Sequence, residues 1–473
     1  MLLTLKVNSN IELDPAKIPG FLVQKIEQEM TLPNPAYVNA ERLGFYMGNL
    51  DKHIYLYRYQ GDKIILPRGY GPKLVKLLKE QNIPYILDDR RLTLPEVELS
   101  SKIKLRDYQK PAVEKLVRQR QGGVSAPCGS GKTIILLEAM ARIRQPSLWI
   151  CHTWELLEQT KERATEVFNI NPGEIGVIAD GKIKLGNKLT LALIQTLRDK
   201  DLETLAGRFG AVFIDEAHHL AARTFFDTVN AFPAFYRLWA SATPTRQDGL
   251  TNMIFAAGGP IVYDTGNEDL PTITPTLVVV ETDYNGHDEN YTRLVTDLIS
   301  NERRNRLIVS NLAKETQGNY SLVLSDRIAH LHTLEGMIKE KLPSMVLEVL
   351  TAKKTAKERV RIMEAAKAQQ VDILLATQLT REGLDLPHLN RLFLCTPKRA
   401  AGAVQQEVGR IMRPSPDKQD AVVYDFWDSG SPFLKAQFWR RRDVYRKLGM
   451  NTEIGIHSNK NQPACSEKGE PYC

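Results

Sequence analysis

Cysteine is scarce in this chain, and none of it is paired: Cys128, Cys151, Cys395, Cys465 and Cys473 are scattered through 473 residues without a CxxC spacing. That distribution argues against a zinc site and against a disulfide framework, so reduced thiols are expected. Also missing is any run approaching the roughly 18 apolar residues needed to cross a bilayer. The opening segment, Met1 to Lys6, lacks the apolar core and small-residue cleavage site of a signal peptide. A cytoplasmic protein with no membrane partner is therefore expected. No internal repeat or low-complexity tract stands out.

What is present is length and a mild positive charge. A chain of 473 residues exceeds what one core usually supports and points to two to four domains. The net charge of +7 permits a polyanionic partner, but only motifs can argue for one. Residues 1–100 read as a small α+β unit. In it, alternation from His53 to Tyr59 and the run Lys63 to Leu66 form a hairpin turned at Gly61-Asp62. A basic-faced helix follows, with Leu74, Val75, Leu77 and Leu78 opposite Lys73, Lys76 and Lys79. From about Ile103 short β-rich runs alternate with helical stretches, as at Ser147, Leu189 and Ala211. After a Pro/Thr-rich stretch at 270–276 the pattern recurs at Ser321, Asp372, Arg391 and Ala421. This predicts two α/β lobes, over 101–270 and 271–450, each with a parallel sheet. The polar residues 451–473 are expected to be a disordered tail.

Chemistry concentrates in three places. Ala126-Pro-Cys-Gly-Ser-Gly-Lys-Thr133 reads as a phosphate loop. In it, backbone amides around Gly129, Ser130 and Gly131 cradle phosphate oxygens, Lys132 reaches the β/γ-phosphates and Thr133 ligates Mg²⁺. The apolar strand Ala211 to Ile214 delivers Asp215-Glu216-Ala217-His218 at its carboxyl end, where open α/β sheets bind ligands. Asp215 suits the Mg²⁺ shell, and Glu216 suits orientation and deprotonation of an attacking water; the bland alternative is an acidic surface turn. Gln406, Arg410 and Arg413 are spaced i, i+4 and i+3 along one helix, either solvated or available to cross a cleft to a γ-phosphate.

The order of these and further motifs resembles a superfamily 2 helicase from about Leu105 to Tyr445. Arg106-Asp-Tyr-Gln109 is similar to the adenine-side element. Cys151-His-Thr-Trp-Glu-Leu-Leu-Glu-Gln159 and Ile194-Gln-Thr-Leu197 are similar to strand-binding motifs. Ser241-Ala-Thr243-Pro244 is similar to the element that, with His218, couples hydrolysis to movement. In the second lobe, Ser325-Asp-Arg327 and the segment Ala376 to Asp385 resemble backbone-gripping and nucleotide-sensing motifs. The start at Leu105, the Asp-Glu-Ala-His box and Ser241 to Gly249 look most like the XPB branch, close to phage fork-remodelling helicases of the UvsW type. Arg246-Gln247-Asp248 departs from the Arg-Glu-Asp of that branch, which removes the middle acid.

The resemblance implies two tandem RecA-like lobes behind a small N-terminal α+β domain, with ATP and Mg²⁺ bound between the lobes. It implies nucleotide contacts from Arg106, Gln109, Gly383 and Asp385, and strand contacts from Thr153, Gln195, Thr196, Ser325, Arg327 and Thr377. Arg410, Arg413 and Gln406 would act on the γ-phosphate. Each hydroxyl could instead cap a helix or turn. In the N-terminal unit, Arg68 and Lys73, among other cations and Tyr55, Tyr57 and Tyr59, are expected on a nucleic-acid surface, the alternative being a packed core with a solvated helix face. The basic segment Phe438 to Lys447 either touches phosphates or caps the second lobe, and capping is the preferred reading. The expected partner is DNA, forked or branched, worked by a monomer with 3′ to 5′ polarity in a bacterial or phage-infected cell. The rivals are an RNA helicase, the motor subunit of a restriction or conflict system, and an ATP-switched clamp that does not unwind.

Overall fold

The computed structural model describes residues 2–127, 129–242, 244–245, 248–266, 273–377, 386–398 and 401–455. The chain divides into two compact units, residues 1–270 and 271–473.

The first unit is built on an eight-stranded sheet. Its order is Lys182–Lys184, Gly176–Ala179, Leu189–Leu193, Ser147–Cys151, Ala211–Ile214, Tyr236–Ser241, Gln121–Ser125 and Ile261–Asp264. All neighbours run parallel except the outermost pair, 176–179 with 182–184. The central strands are buried along their length, as parallel strands covered by helices on both faces must be. Such a sheet collects loops at its carboxyl edge, and the phosphate loop, Thr153, Gln195, Asp215 and the Ser241 turn all leave strands there.

The second unit repeats the plan with seven strands, all parallel: Leu347–Leu350, Ile373–Ala376, Ser321–Leu324, Arg391–Leu394, Val422–Trp427, Thr276–Glu281 and Asn451–Gly455. The two sheets are the parallel α/β lobes that the alternation of strands and helices predicts, and they are RecA-like as the resemblance implies. Residues 451–455, expected to open a disordered tail, instead pair with Thr276–Val280 as an edge strand. The polar run hides a short strand whose role is to extend an existing edge. The remainder of that tail lies outside the described residues.

A five-stranded mixed sheet, Arg58–Gln60, Lys63–Pro67, Asn10–Leu13, Leu3–Val7 and Tyr85–Asp89, forms the N-terminal domain with helices Gly20–Glu29 and Gly71–Glu80. Gln60 faces Lys63 across the Gly61-Asp62 turn, with Gly61 at φ +59°. The strand read through 53–59 is broken at Leu56-Tyr57: His53–Tyr55 pairs with Thr31–Pro33, and Arg58–Gln60 pairs with 63–65. Leu74, Leu77 and Leu78 are buried, and Lys73, Lys76 and Lys79 stay exposed.

This domain is not the separate unit that composition suggests. Its apolar residues join one continuous core with first-lobe residues such as Ile150, Phe209, Phe232 and Met253. Gly69 lies so close to the helix Thr251–Gly258 that an added Cβ would sit 2.0 Å from the Phe255 carbonyl oxygen. Arg68, expected on a nucleic-acid surface, is instead 2% exposed in this seam. It donates to Gln121 Oε1 at 2.8 Å and to the Ala234 carbonyl at 2.6 Å. Arg237, fully buried beside it, donates to Asn230 Oδ1, Phe232 O and Ala257 O. Burial holds Arg68 well below the usual guanidinium range and pushes Arg237 down to about 9.

Arg68→Ala is therefore expected to act on stability. It strands Gln121 Oε1 and the Ala234 oxygen, each at roughly 1–3 kcal/mol. The thermal midpoint falls, and the salt slope of nucleic-acid binding stays at its wild-type value. A phosphate contact at Arg68 would show instead as a slope reduced by about 1.

Candidate active site

The phosphate loop closes on the helix Lys132–Ile143, whose N-terminal amides and dipole favour a bound anion. Gly129 and Gly131 adopt φ of +85° and +77°, and a Cβ on Gly131 would lie 2.6 Å from Gln109 Nε2. That contact shows what the Arg106 element does in this fold. Gln109 Nε2 and the Tyr108 hydroxyl each donate to the Ser130 carbonyl at 2.9 Å, and the Arg106 amide donates to Gln109 Oε1 at 3.0 Å. Gln109 is buried against the back of the loop, whereas Arg106 is exposed.

Four side chains converge on the cradle. Thr133 Oγ1 donates to Asp215 Oδ2 at 2.9 Å, and Lys132 Nζ lies 3.4 Å from Glu216 Oε1. Lys132 and Asp215 are each 8% exposed. His218 Nδ1 sits 3.3 Å from Glu216 Oε2 and 3.5 Å from Ser241 Oγ. Glu216 occupies the left-handed region at φ 50°, ψ 54°, which turns its carboxylate back toward Lys132. Burial, then the neighbouring Glu216 charge, pushes the Asp215 carboxyl up to about 6, against the pull of Lys132 and Thr133. Burial also acts to raise Glu216, but Lys132 and His218 outweigh it and hold that carboxyl well below the usual range. The result is an ionised Glu216 next to a carboxylate, Asp215, that a cation would help to ionise.

The residues fit Mg²⁺-ATP. Ser130 Oγ is fully buried in the loop with no hydrogen-bond partner among the described residues, a hydroxyl able to donate to a ligand oxygen. Thr133 and Asp215 are the hard-oxygen pair that would hold the metal. Such a group would neutralise phosphate charge; the chain itself supplies loop amides, Lys132 and the ionised Glu216 carboxylate.

Of the strand-contact candidates, Thr153 caps the helix Trp154–Phe168 by accepting from the Leu156 amide at 3.3 Å. Gln195 is exposed and donates to the His152 carbonyl at 2.9 Å, tying the two first-lobe turns together; Thr196 beside it is half-buried. In the second lobe Arg327 is half-buried at the start of the helix Ile328–Lys341. Ser325 is a correction: its side chain is fully buried, 3.0 Å from His330 Nδ1, and accepts from the Arg327 amide, so it shapes the turn from within. Thr377 is also buried, at the end of the strand Ile373–Ala376. Lys73 is half-exposed and paired with Glu29 at 3.1 Å. Thr243, Gly383 and Asp385 lie outside the described residues.

The arginine helix runs Ala401–Ile411, so Arg410 is in its last turn and Arg413 lies just beyond it rather than on the same helical face. Gln406 is helical in backbone. Sequence reasoning missed Lys418, which donates to the carbonyls of Leu389 at 2.6 Å and Arg413 at 3.1 Å, and closely to that of Ile411. Burial, then repulsion from Arg413, pushes Lys418 down to about 8. Lys398, paired closely with Asp326 and 3.7 Å from the buried Glu407, ties the Ser325 turn to the arginine helix. The segment from Phe438 does cap the lobe: Arg441 is buried on Asp425 in a two-pronged pair, at 2.8 and 2.9 Å.

A phosphate loop facing the Asp215 and Glu216 carboxylates, in one of two RecA-like lobes, is the arrangement of a nucleotide-binding protein of the RecA-like class. Residues 102–246 match the family described as type III restriction enzyme, res subunit, and residues 303–415 match the helicase conserved C-terminal domain. A DNA 3′–5′ translocase of the XPB type from Sulfurisphaera tokodaii is 33% identical over 178 residues, 38% of this chain and 39% of that protein. A protein of Acanthamoeba polyphaga mimivirus, described provisionally as an ATP-dependent RNA helicase, is 26% identical over 448 residues, covering 89% of this chain and 79% of its own. Saccharomyces cerevisiae Dbp5 bound to RNA and ADP BeF3 shares the fold at a TM-score of 0.55 and 15% identity, over 81% of this chain and 93% of that one. The chain belongs to the superfamily 2 helicases, related to the XPB branch, and is an ATP-dependent helicase. No helix among the described residues is long and apolar enough to cross a membrane.

Proposed function

We propose that this helicase acts on DNA, unwinding or branch-migrating forked and junction substrates with 3′ to 5′ polarity in replication, recombination or repair. The observation that carries the choice of DNA is the 33% identity to an XPB-type DNA translocase. In this reading Lys132, Thr133 and Asp215 hold Mg²⁺-ATP, and Glu216 activates the attacking water. Gln109 ties the adenine-side element to the loop, and Arg410, Arg413 and Gln406 complete the γ-phosphate site. His218, Ser241 and Thr243 link hydrolysis to movement.

The seam around Arg68 supports a role for the N-terminal domain. Because it shares the core of the first lobe, its exposed Lys73, Lys76, Lys79, Tyr55 and Tyr59 belong to the same compact unit as the ATP site. Cations interleaved with exposed aromatics suit nucleic acid. Phosphate contacts from these side chains and from the strand turns would position the track without reading its sequence.

RNA is the second reading, favoured by the breadth of the likeness to the mimivirus protein. The test is ATP turnover of the purified protein with single-stranded DNA, blunt duplex, a fork, a four-way junction and RNA. Turnover on the fork and junction is expected to exceed that on blunt duplex and RNA. A ranking led by RNA would overturn the DNA reading.

A further inference from the structure

Three imidazoles run in contact from the turn after Cys151 to the carboxylate assigned to water activation. His152 follows the strand Ser147–Cys151 and stacks on His219, with ring centroids 3.6 Å apart and planes inclined by 31°. His219 meets His218 at 4.1 Å and 38°. His218 Nδ1 is 3.3 Å from Glu216 Oε2. The His152 end is fixed from outside by Gln195, which donates to the His152 carbonyl. The roles assigned above use neither the His152 ring nor His219, although the doubled histidine after Asp-Glu-Ala is plain in the sequence.

We infer that the stack His152–His219–His218 links strand engagement at the His152–Thr153 and Gln195–Thr196 turns to the orientation of Glu216, which makes His219 a positioning residue for hydrolysis. The inference rests on the proposed reading of those turns as strand contacts. Rings in van der Waals contact inside a close-packed interior do not shift independently. A phosphate gripped at 152–153 therefore pushes on two rings in series instead of dissipating in a loop.

The receiving end is built to respond. Glu216 stands in a left-handed backbone conformation, and its carboxylate is braced by Lys132 on one oxygen and His218 on the other. A small movement of His218 re-aims the carboxylate. The Ser241 contact reaches His218 separately, at 3.5 Å. The stack is thus an input from the strand turns, distinct from the Ser241 element.

The test compares ATP turnover with and without saturating oligo(dT) for the wild type, His219→Ala, His219→Phe, His152→Ala and the double alanine variant. Because a misplacement of about 1 Å costs on the order of 10²-fold in a positioned reaction, the ratio of stimulated to basal turnover is expected to fall about tenfold or more in His219→Ala. His219→Phe, which keeps a ring in the stack, is expected to recover most of that ratio. The half-saturating oligo(dT) concentration stays near the wild-type value. The double variant is expected to lose no more than His219→Ala, since groups acting in one chain of contacts are not additive.

A wild-type ratio in His219→Ala overturns the inference, as does a parallel fall of basal and stimulated turnover, which would mark His219 as merely structural. Additive losses in the double variant also overturn it. A wild-type protein that no strand stimulates would overturn the strand-contact reading and this inference together. Wild-type stimulation that survives in His219→Ala removes the inference alone.

Discussion

Glu216→Gln is expected to bind nucleotide nearly as well as the wild type and to lose about 10²- to 10⁴-fold in turnover, the span of a positioned general base. The substitution keeps the shape of the side chain, so the left-handed turn at Glu216 and the packing of Ala217 and Leu220 behind it are retained. What disappears is the negative charge that Lys132 and His218 hold ionised. The phosphate side of the site is left intact: Lys132 loses a competing partner at 3.4 Å, and Thr133 and Asp215 remain together. Steady-state phosphate release read beside equilibrium binding of a fluorescent nucleotide separates the two effects. Turnover within a few-fold of the wild type would remove Glu216 from the chemistry.

Arg413→Ala is expected to lower turnover by about 10³- to 10⁵-fold with nucleotide binding retained, as for an arginine that meets transferring phosphoryl charge. Arg413 lies just past its helix, where Lys418 gathers the carbonyls of Leu389, Ile411 and Arg413 around one buried ammonium. That arrangement fixes the backbone from which Arg413 projects. Arg413→Lys keeps the charge but not the planar fork, and is expected to restore little activity. Wild-type turnover in Arg413→Ala, measured at saturating ATP and DNA, would withdraw the assignment.

The parts of this molecule that depend on a few adjacent residues were legible in the sequence. The phosphate loop, the Asp215-Glu216 box and the Gly61-Asp62 turn each carry their geometry within a handful of positions. The alternation of strands and helices from Ile103 onward announced two parallel sheets. What stayed hidden depends on partners far along the chain. Arg68 sits among lysines and reads as surface, yet its hydrogen bonds go to Gln121 and Ala234, 53 and 166 residues away. Ser325 looks like a strand contact until His330 and the Arg327 amide claim its hydroxyl. The polar segment 451–455 becomes a strand only because Thr276–Val280 offers an edge. His219 carried a local signal, a second histidine in the box, but its partner His152 is brought in by the pairing of neighbouring parallel strands.

In the function proposed here, ATP hydrolysis at Glu216 drives this chain along branched DNA. Strand displacement from a fork, with labelled arms, tests it most directly when wild type and Glu216→Gln are run beside each other with and without ATP and Mg²⁺. Displacement is expected from the wild type only when both are supplied, and none from Glu216→Gln despite its retained nucleotide and fork binding. Displacement by Glu216→Gln at the wild-type rate, or a wild type that hydrolyses ATP on the fork without parting it or migrating a junction, would contradict it.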